Sequence, residues 1–379
     1  MSCVIAVTIH LTDMNIHTSL PACLLSLTLF TTASAQTVST FLNNTSVKVD
    51  DAMVLDAEGN LYGSNYAGTN VYKITPDGNA TIFATGFNTP NGLAFDSQQH
   101  LYVADMSGNH IYKLSHDGKF LDTIAVPNPS GIIKSFDSDT MIFTQYQSYK
   151  LNKLAPDGTI IPMFSSTPLN GPVGLAYDDA GTLFVANFNN REIFRVSDGS
   201  LEHVATIPGS GWLGFITYAH GFLWATAFST HKIYQIYPYQ TDSVTLFAGS
   251  TAGNTDGHVG IATFNGPNGI IASASGDSLY VSEYNTGHIR VITDLFTGIR
   301  PMHDQRNNLQ LVAYPNPSQN FITVRAAGTV QRVEVMDLRG RVWLLSNETS
   351  FPVVSLQPGT YVLRALIEDE WVTSVFVKK

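Results

Sequence analysis

The chain has 379 residues, 44% of them hydrophobic and only 13% charged, with a formal net charge of −10 at pH 7. That length accommodates one large domain and a smaller one, each with a full apolar core, and the acidic balance excludes the basic footprint that nucleic acid requires. Abundant Gly, Thr, Ser and Asn beside so few charges is the composition of a sheet-and-turn protein.

Residues 1–35 read as a signal peptide. "LPACLLSLTLF" (20–30) is an apolar run of the length such signals use, and "TTASAQ" places small residues at Ala33 and Ala35, so cleavage is expected near Ala35. The run is too short for a membrane span, and no transmembrane segment is expected elsewhere. No Lys or Arg precedes the run, and translation starts at Met1 or at Met14. Both cysteines, Cys3 and Cys23, lie in this leader, so the exported chain is expected to fold without disulfides. A lipidated Cys23 is the lesser alternative, because the apolar run follows that cysteine instead of preceding it.

From residue 36 to 297 the sequence repeats. "LYGSN" (61–65), "LYVAD" (101–105), "MIFTQ" (141–145), "LFVAN" (183–187), "LWATA" (223–227) and "LYVSE" (279–283) begin 40, 40, 42, 40 and 56 residues apart. A partner run lies upstream, clearest in "NGLAFD" (91–96), "VGLAYD" (173–178) and "NGIIAS" (268–273), and a third lies downstream, as in "VYKIT" (71–75) and "IYKLS" (111–115). Runs of four to six β-branched and aromatic residues between turn residues are strands. Asp-Gly at 77–78, 117–118, 157–158 and 198–199 signals hairpins, expected as primed turns. Three or four strands in a period near 40 residues is the demand of a β-propeller, and six repeats predict six blades. "TVSTFL" (37–42) is the candidate outer strand for the last repeat.

Residues 245–293 resemble the NHL repeat, and the whole set resembles the six-bladed propellers of the senescence marker protein and gluconolactonase group. The resemblance implies a fold more than a function, since such propellers include lactonases, phosphotriesterases, lyases and binding modules.

Residues 298–308, "GIRPMHDQRNN", read as a polar linker. From 309 to 379 apolar and polar residues alternate between turns, which predicts a small β-sandwich. Its seven basic and six acidic residues nearly balance, so the acidity belongs to the repeats. "YPNP" (314–317), "VMDLRGR" (335–341), "LQPGTYVLR" (356–364) and the terminal Lys378-Lys379 resemble, in order, the type A sorting domain of the type IX secretion system of Bacteroidota. That resemblance implies the secretion machinery as a partner and a secreted or outer-membrane surface-attached product. An ordinary Ig-like adhesion domain is the alternative.

In a propeller the start of each first strand and the end of each second strand share one face. Asp51, Asn91, Gly131, Val173, Leu213 and Asn268 align at the starts, and Asn65, Asp105, Gln145, Asn187, Ala227 and Glu283 at the ends. The gluconolactonase-like resemblance implies calcium held by Asp51, Asn91 and Asn268, with Asp105 or Glu283 as base. Against it, Gly131, Val173 and Leu213 carry no side-chain ligand, and Asn before Gly also serves simply to cap a turn. His110, His231 and His288 recur before the third strand and read as structural.

Immediately after the second ring stand Tyr66, Met106, Tyr146, Phe188, Phe228 and Tyr284. Aromatics beside amides and carboxylates suit the flat faces and hydroxyls of a glycan, or a peptide backbone. The alternative is that each ring packs on its own loop. The sequence therefore favours an exported propeller that binds a glycan, peptide or other extracellular small molecule, ahead of a calcium-dependent lactonase or related hydrolase and of a purely structural role in an extracellular matrix.

Overall fold

The computed structural model describes residues 36–44, 46–165, 167–197, 199–295, 311–326, 328–337, 341–367 and 370–379. The expected signal peptide, the 298–308 linker, Asp198 of the fourth Asp-Gly turn and residues 338–340 of "VMDLRGR" lie outside the described residues.

Among the described residues, six antiparallel sheets make up the repeat region. Sheet 1 runs through Met53–Leu55, Leu61–Ser64, Asn70–Ile74 and Ala80–Thr85; sheet 2 through Pro90–Phe95, Leu101–Asp105, His110–Leu114 and Phe120–Ala125. Sheet 3 holds Pro129–Lys134, Met141–Gln145, Lys150–Leu154 and Ile160–Ser165, and sheet 4 Pro172–Tyr177, Leu183–Asn187, Glu192–Ser197 and Ser200–Thr206. Sheet 5 holds Ile216–Ala219, Phe222–Ala227, Lys232–Ile236 and Val244–Gly249. In sheet 6, Pro267–Ala272, Leu279–Glu283 and Ile289–Thr293 are completed by Thr37–Leu42 from the chain start, with Gly257–His258 as a short fifth strand. Each first strand touches the first strand of the next sheet, and Met53–Leu55 meets Pro267–Ala272, so the ring closes on itself as in a β-propeller.

Turn chemistry explains the regularity. Asp56, Asp96 and Asp178 each accept two backbone N–H groups two and four residues on, which folds the first hairpin of their sheets. In the Asp-Gly turns at 77–78, 117–118 and 157–158 only the glycine has a positive φ, at 85°, 80° and 85°. These are therefore not the fully primed turns that Asp-Gly predicts, because the longer loop needs left-handed backbone at one residue only.

Between the sheets lie alternating apolar clusters, such as Tyr62, Val71, Leu93, Leu101 and Leu114 between sheets 1 and 2. The 56-residue spacing before the last repeat is an insertion with a job. Its strand Gly257–His258 pairs with Thr37 and Val38, and Asp256 accepts from the N–H and hydroxyl of Thr40 and from buried Arg290.

The described residues of the C-terminal domain form two sheets. Leu311–Tyr314, Phe321–Ala326 and Ser350–Pro352 form one; Val330–Met336, Val342–Ser346, Gly359–Ile367 and Glu370–Lys378 form the other. Both feed one core that includes Ala313, Val324, Val335, Phe351, Leu363 and Phe376. Among the described residues no helix is long and apolar enough to cross a membrane.

Candidate functional site

The axial end of the first strands is built from backbone packed on backbone. A Cβ on Gly92, Gly131, Gly214 or Gly269 would stand 2.2, 1.7, 2.4 and 2.1 Å from the carbonyl oxygens of Ser130, Val173, Asn268 and Asp51. Hydroxyls from the second strands bind the seams: Ser64 donates to the Asn91 carbonyl, Thr226 to that of Asn268 and Ser282 to that of Asp51. This approach requires glycine beside the axis.

The pairing also corrects one alignment. Pro90 faces Asp105 and Pro129 faces Gln145, so Ser130, not Gly131, is the counterpart of Asn91. The β-bulge at the start of these strands is the same in both sheets. The offset of one arises in the first hairpin, which holds six residues between Lys134 and Met141 and five between Phe95 and Leu101. The first ring is thus polar over four consecutive sheets: Asn268, Asp51, Asn91 and Ser130, all buried. Asn268 Nδ2 donates to Asp51 Oδ1 at 2.9 Å and Asn91 Nδ2 to Ser130 Oγ at 3.2 Å. Burial, and then the neighbouring charge of Asp50, pushes the Asp51 carboxyl well above the usual carboxylate range.

Asp51 Oδ2 and Asn91 Oδ1 are buried without a hydrogen-bond partner. They are hard oxygen donors of the type calcium takes. Val173 and Leu213 add none, Asn268 turns its Nδ2 to Asp51 and has only its Oδ1 to offer, and no group of three His, Cys, Asp or Glu converges among the described residues. A cation needing six to eight oxygens would draw most of its shell from water and backbone.

The second ring serves the loops. Asp105 accepts from the N–H groups of Asn88, Thr89 and Gly108, at 2.9, 2.7 and 3.2 Å. Glu283 accepts from the Asn265 N–H, the Thr286 hydroxyl and Arg290. Gln145 donates to the Pro127 carbonyl and Asn187 to that of Pro168. These side chains clamp the loop that arrives from the previous sheet, and both base candidates are fully engaged as acceptors. Asn65 differs, being half-buried with its Oδ1 unpartnered, and Ala227 brings no polar group. His231 accepts from the Gly266 N–H, and His110 Nδ1 lies 2.7 Å from the Gly108 carbonyl.

Above both rings the aromatics meet. Tyr146 lies 6.0 Å from Phe188 between ring centroids, Phe188 6.3 Å from Phe228, Phe228 5.3 Å from Tyr284, and Tyr284 6.2 Å from Tyr66. One continuous collar thus spans sheets 3, 4, 5, 6 and 1, with Met106 of sheet 2 at the gap. Trp212 extends it, stacked on Phe188 at 5.6 Å and 19° and touching Phe228 at 6.1 Å. It is 49% exposed, and the repeat alignment missed it because four of the other repeats carry proline at its position, as Pro90, Pro129, Pro172 and Pro267. Its one sequence signal was an indole flanked by glycines just before a strand start.

Amides rim the collar. The Tyr146 hydroxyl donates to Asn189 Oδ1 at 2.9 Å, Asn189 to Asn170 at 3.0 Å, and Asn285 to Asn265 at 2.9 Å. Lys48 stands 5.5 Å over the Tyr284 ring and is paired with Asp50 at 3.0 Å. Burial raises the Tyr66 and Tyr146 phenols, so both remain neutral hydroxyls at ordinary pH. The resulting surface is aromatic, with rings tilted against one another by 48–78°, and is rimmed by neutral donors and acceptors.

The comparisons agree with this architecture. Residues 87–110, spanning the first two strands of sheet 2, match the NHL repeat, and residues 312–379 match the secretion system C-terminal sorting domain. Solved structures of like fold include virginiamycin B lyase from Staphylococcus aureus, 22% identical over 66% of this chain and 82% of that one, TM-score 0.51. A gluconolactonase from Xanthomonas campestris is 18% identical over 68% and 89%, TM-score 0.52. An auxiliary nutrient binding protein from Bacteroides thetaiotaomicron is 15% identical over 68% and 76%, TM-score 0.58. No curated protein sequence matches the chain. At these identities the likeness is one of fold, which lyase, lactonase and binding protein share. The chain is a β-propeller with an NHL repeat, carrying a C-terminal sorting domain that directs its secretion.

Proposed function

We propose that the chain is an extracellular or surface-held binding module, exported by the type IX system, whose aromatic collar takes a glycan, with a peptide backbone as the second ligand class. The observation that carries this reading is the continuity of the collar from Tyr146 to Tyr66. Sugar rings present C–H faces that stack on Tyr and Trp and hydroxyls that bond amides such as Asn189 and Asn285. The two candidate bases, Asp105 and Glu283, are taken up by loop groups and, for Glu283, by Arg290, which favours retention of a ligand over its hydrolysis. A neighbour of like fold described as a nutrient binding protein is in keeping with that.

The test is a neutral-glycan array followed by calorimetry on residues 36–379. Trp212→Ala and Phe228→Ala are each expected to weaken the best ligand tenfold or more; equal affinity in both variants would overturn the reading.

The second reading, a calcium-dependent lactonase or related hydrolase, rests on the two unpartnered buried oxygens of Asp51 and Asn91. Those two side chains, with Ser130 and Asn268 beside them, would hold the ion. Bound calcium would supply Lewis-acid polarisation of a substrate oxygen. Stoichiometric calcium lost on Asn91→Ala would support it, and calcium-independent glycan binding would count against it.

A further inference from the structure

The propeller face opposite the collar carries a second aromatic cluster, and its occupant is visible. The collar stands where first strands begin and second strands end. Asp178 follows the last residue of the first strand of sheet 4, and Tyr237 and Tyr239 follow the third strand of sheet 5. In antiparallel sheets those ends lie at the far side.

There Arg325, from the Phe321–Ala326 strand of the C-terminal domain, sits 4.6 Å over the Tyr239 ring and 5.5 Å from that of Tyr314. Its Nη1 donates to the Tyr239 hydroxyl at 2.9 Å and lies 3.7 Å from Asp178 Oδ2. The Tyr239 hydroxyl also donates to Asp178. Tyr314 in turn stacks on Tyr239, at 5.7 Å and 29°, and touches Tyr237 at 6.0 Å. Asp178 is buried and is the same residue that folds the first hairpin of sheet 4.

We propose that sheets 4 and 5 together form an arginine seat that docks the chain's own C-terminal domain on the propeller face remote from the collar. Planar guanidinium stacking, a directed hydrogen bond and an opposite charge coincide on Arg325, which is a specific combination for arginine that lysine does not reproduce. The seat needs a residue from each of two sheets, so it exists only once those sheets have folded side by side. A sorting domain held there leaves the collar open, and an assembly that grips the domain faces the collar outward.

Hydrogen exchange on the exported chain, residues 36–379, tests this. The three hairpins at 75–79, 115–119 and 155–159 occupy the same place in their sheets, and their Asp77, Asp117 and Asp157 are exposed. Docking predicts that amides of 237–243 exchange at least fivefold more slowly than those of the three reference hairpins, and that Arg325→Ala abolishes the difference while leaving residues 90–154 unchanged. Arg325→Lys is expected to fall between. Equal exchange of the 237–243 hairpin and the references in the wild type, or protection that Arg325→Ala does not alter, would overturn the proposal. The Asp242 amide, which donates to the Val204 carbonyl of sheet 4, is left out of the comparison, so the wild-type result stands even if the variant folds poorly.

Discussion

Asn268 and Asp51 are 217 residues apart in the chain and 2.9 Å apart in the fold, joined by an amide-to-carboxylate bond that crosses from sheet 6 to sheet 1. That bond lies beside the seam where the ring closes, and it holds a carboxyl that burial drives toward its neutral form.

The pH dependence follows in sign from that burial. A carboxyl whose pKa is higher folded than unfolded retains its proton in the folded chain over the interval between the two values. Stability therefore falls as pH rises from the ordinary carboxylate range through the raised one. Asp51→Asn keeps an acceptor for Asn268 and removes the ionisable group, so it should stabilise the chain at pH 8 by of order 1 kcal/mol, roughly 2–4 °C, and change little at pH 3. Urea unfolding at the two pH values checks this. A loss of stability at pH 8 would mean that the charge is compensated, and added calcium that stabilises wild type but not Asp51→Asn would identify the compensating ion.

Gly131→Ala puts a methyl 1.7 Å from the Val173 carbonyl, and backbone on the neighbouring first strand has nowhere to retreat. The expected cost is about 3 kcal/mol or more, at the top of the overpacking range. Gly131 itself has an ordinary φ, so the effect comes from contact alone. A melting temperature within two degrees of wild type, as an approximate bound set by that range, would show the axis to be looser than described.

Arg290 is wholly buried and pairs with buried Glu283 and half-exposed Asp256, which ties the final sheet, the insertion and the first strand together. Arg290→Met leaves Glu283 without its cation and should cost about 3–5 kcal/mol. Protease cleavage within 250–266 should accelerate in the same variant, because Asp256 loses its anchor. Stability unchanged, or cleavage confined elsewhere, would contradict the staple.

The loop-clamp role of Asp105 predicts a structural phenotype. Asp105→Ala strands three backbone N–H groups and should lower stability by about 2–3 kcal/mol, the range for hydrogen bonds to a charged acceptor. Asp105→Asn should recover part of that. Were Asp105 a catalytic base, both substitutions would abolish turnover equally while leaving unfolding near wild type.

Trp212 offers a direct optical readout of the collar, since it is 49% exposed whereas Trp224 is 2% exposed. In a chain with Trp343 and Trp371 replaced by Phe, ligand stacked on the collar should shift the emission to shorter wavelength. Trp212→Phe in that background should erase the shift. A shift that survives would place the ligand elsewhere.

Much of the architecture was legible because it is local. Backbone hydrogen bonding repeats every 40 residues or so, and the apolar runs, Asp-led turns and glycines that satisfy it repeat with it. The N-terminal strand was readable as well, since Thr37–Leu42 carries the alternation of the outer strand that sheet 6 otherwise lacks. The circle of Tyr66, Tyr146, Phe188, Phe228 and Tyr284 followed from the same period.

What the sequence determined by itself, then, was the period of the sheets, the turn chemistry and which repeat positions carry rings. Tertiary structure decided the rest: that Ser130 instead of Gly131 completes the axial ring, that Trp212 joins the collar from an irregular loop, that Asp105 and Glu283 are spent on loop amides, and that Arg325 finds Tyr239. The physical reason is that a strand's identity depends on neighbours two residues away, whereas a side chain's partner depends on whichever distant loop ring closure brings beside it.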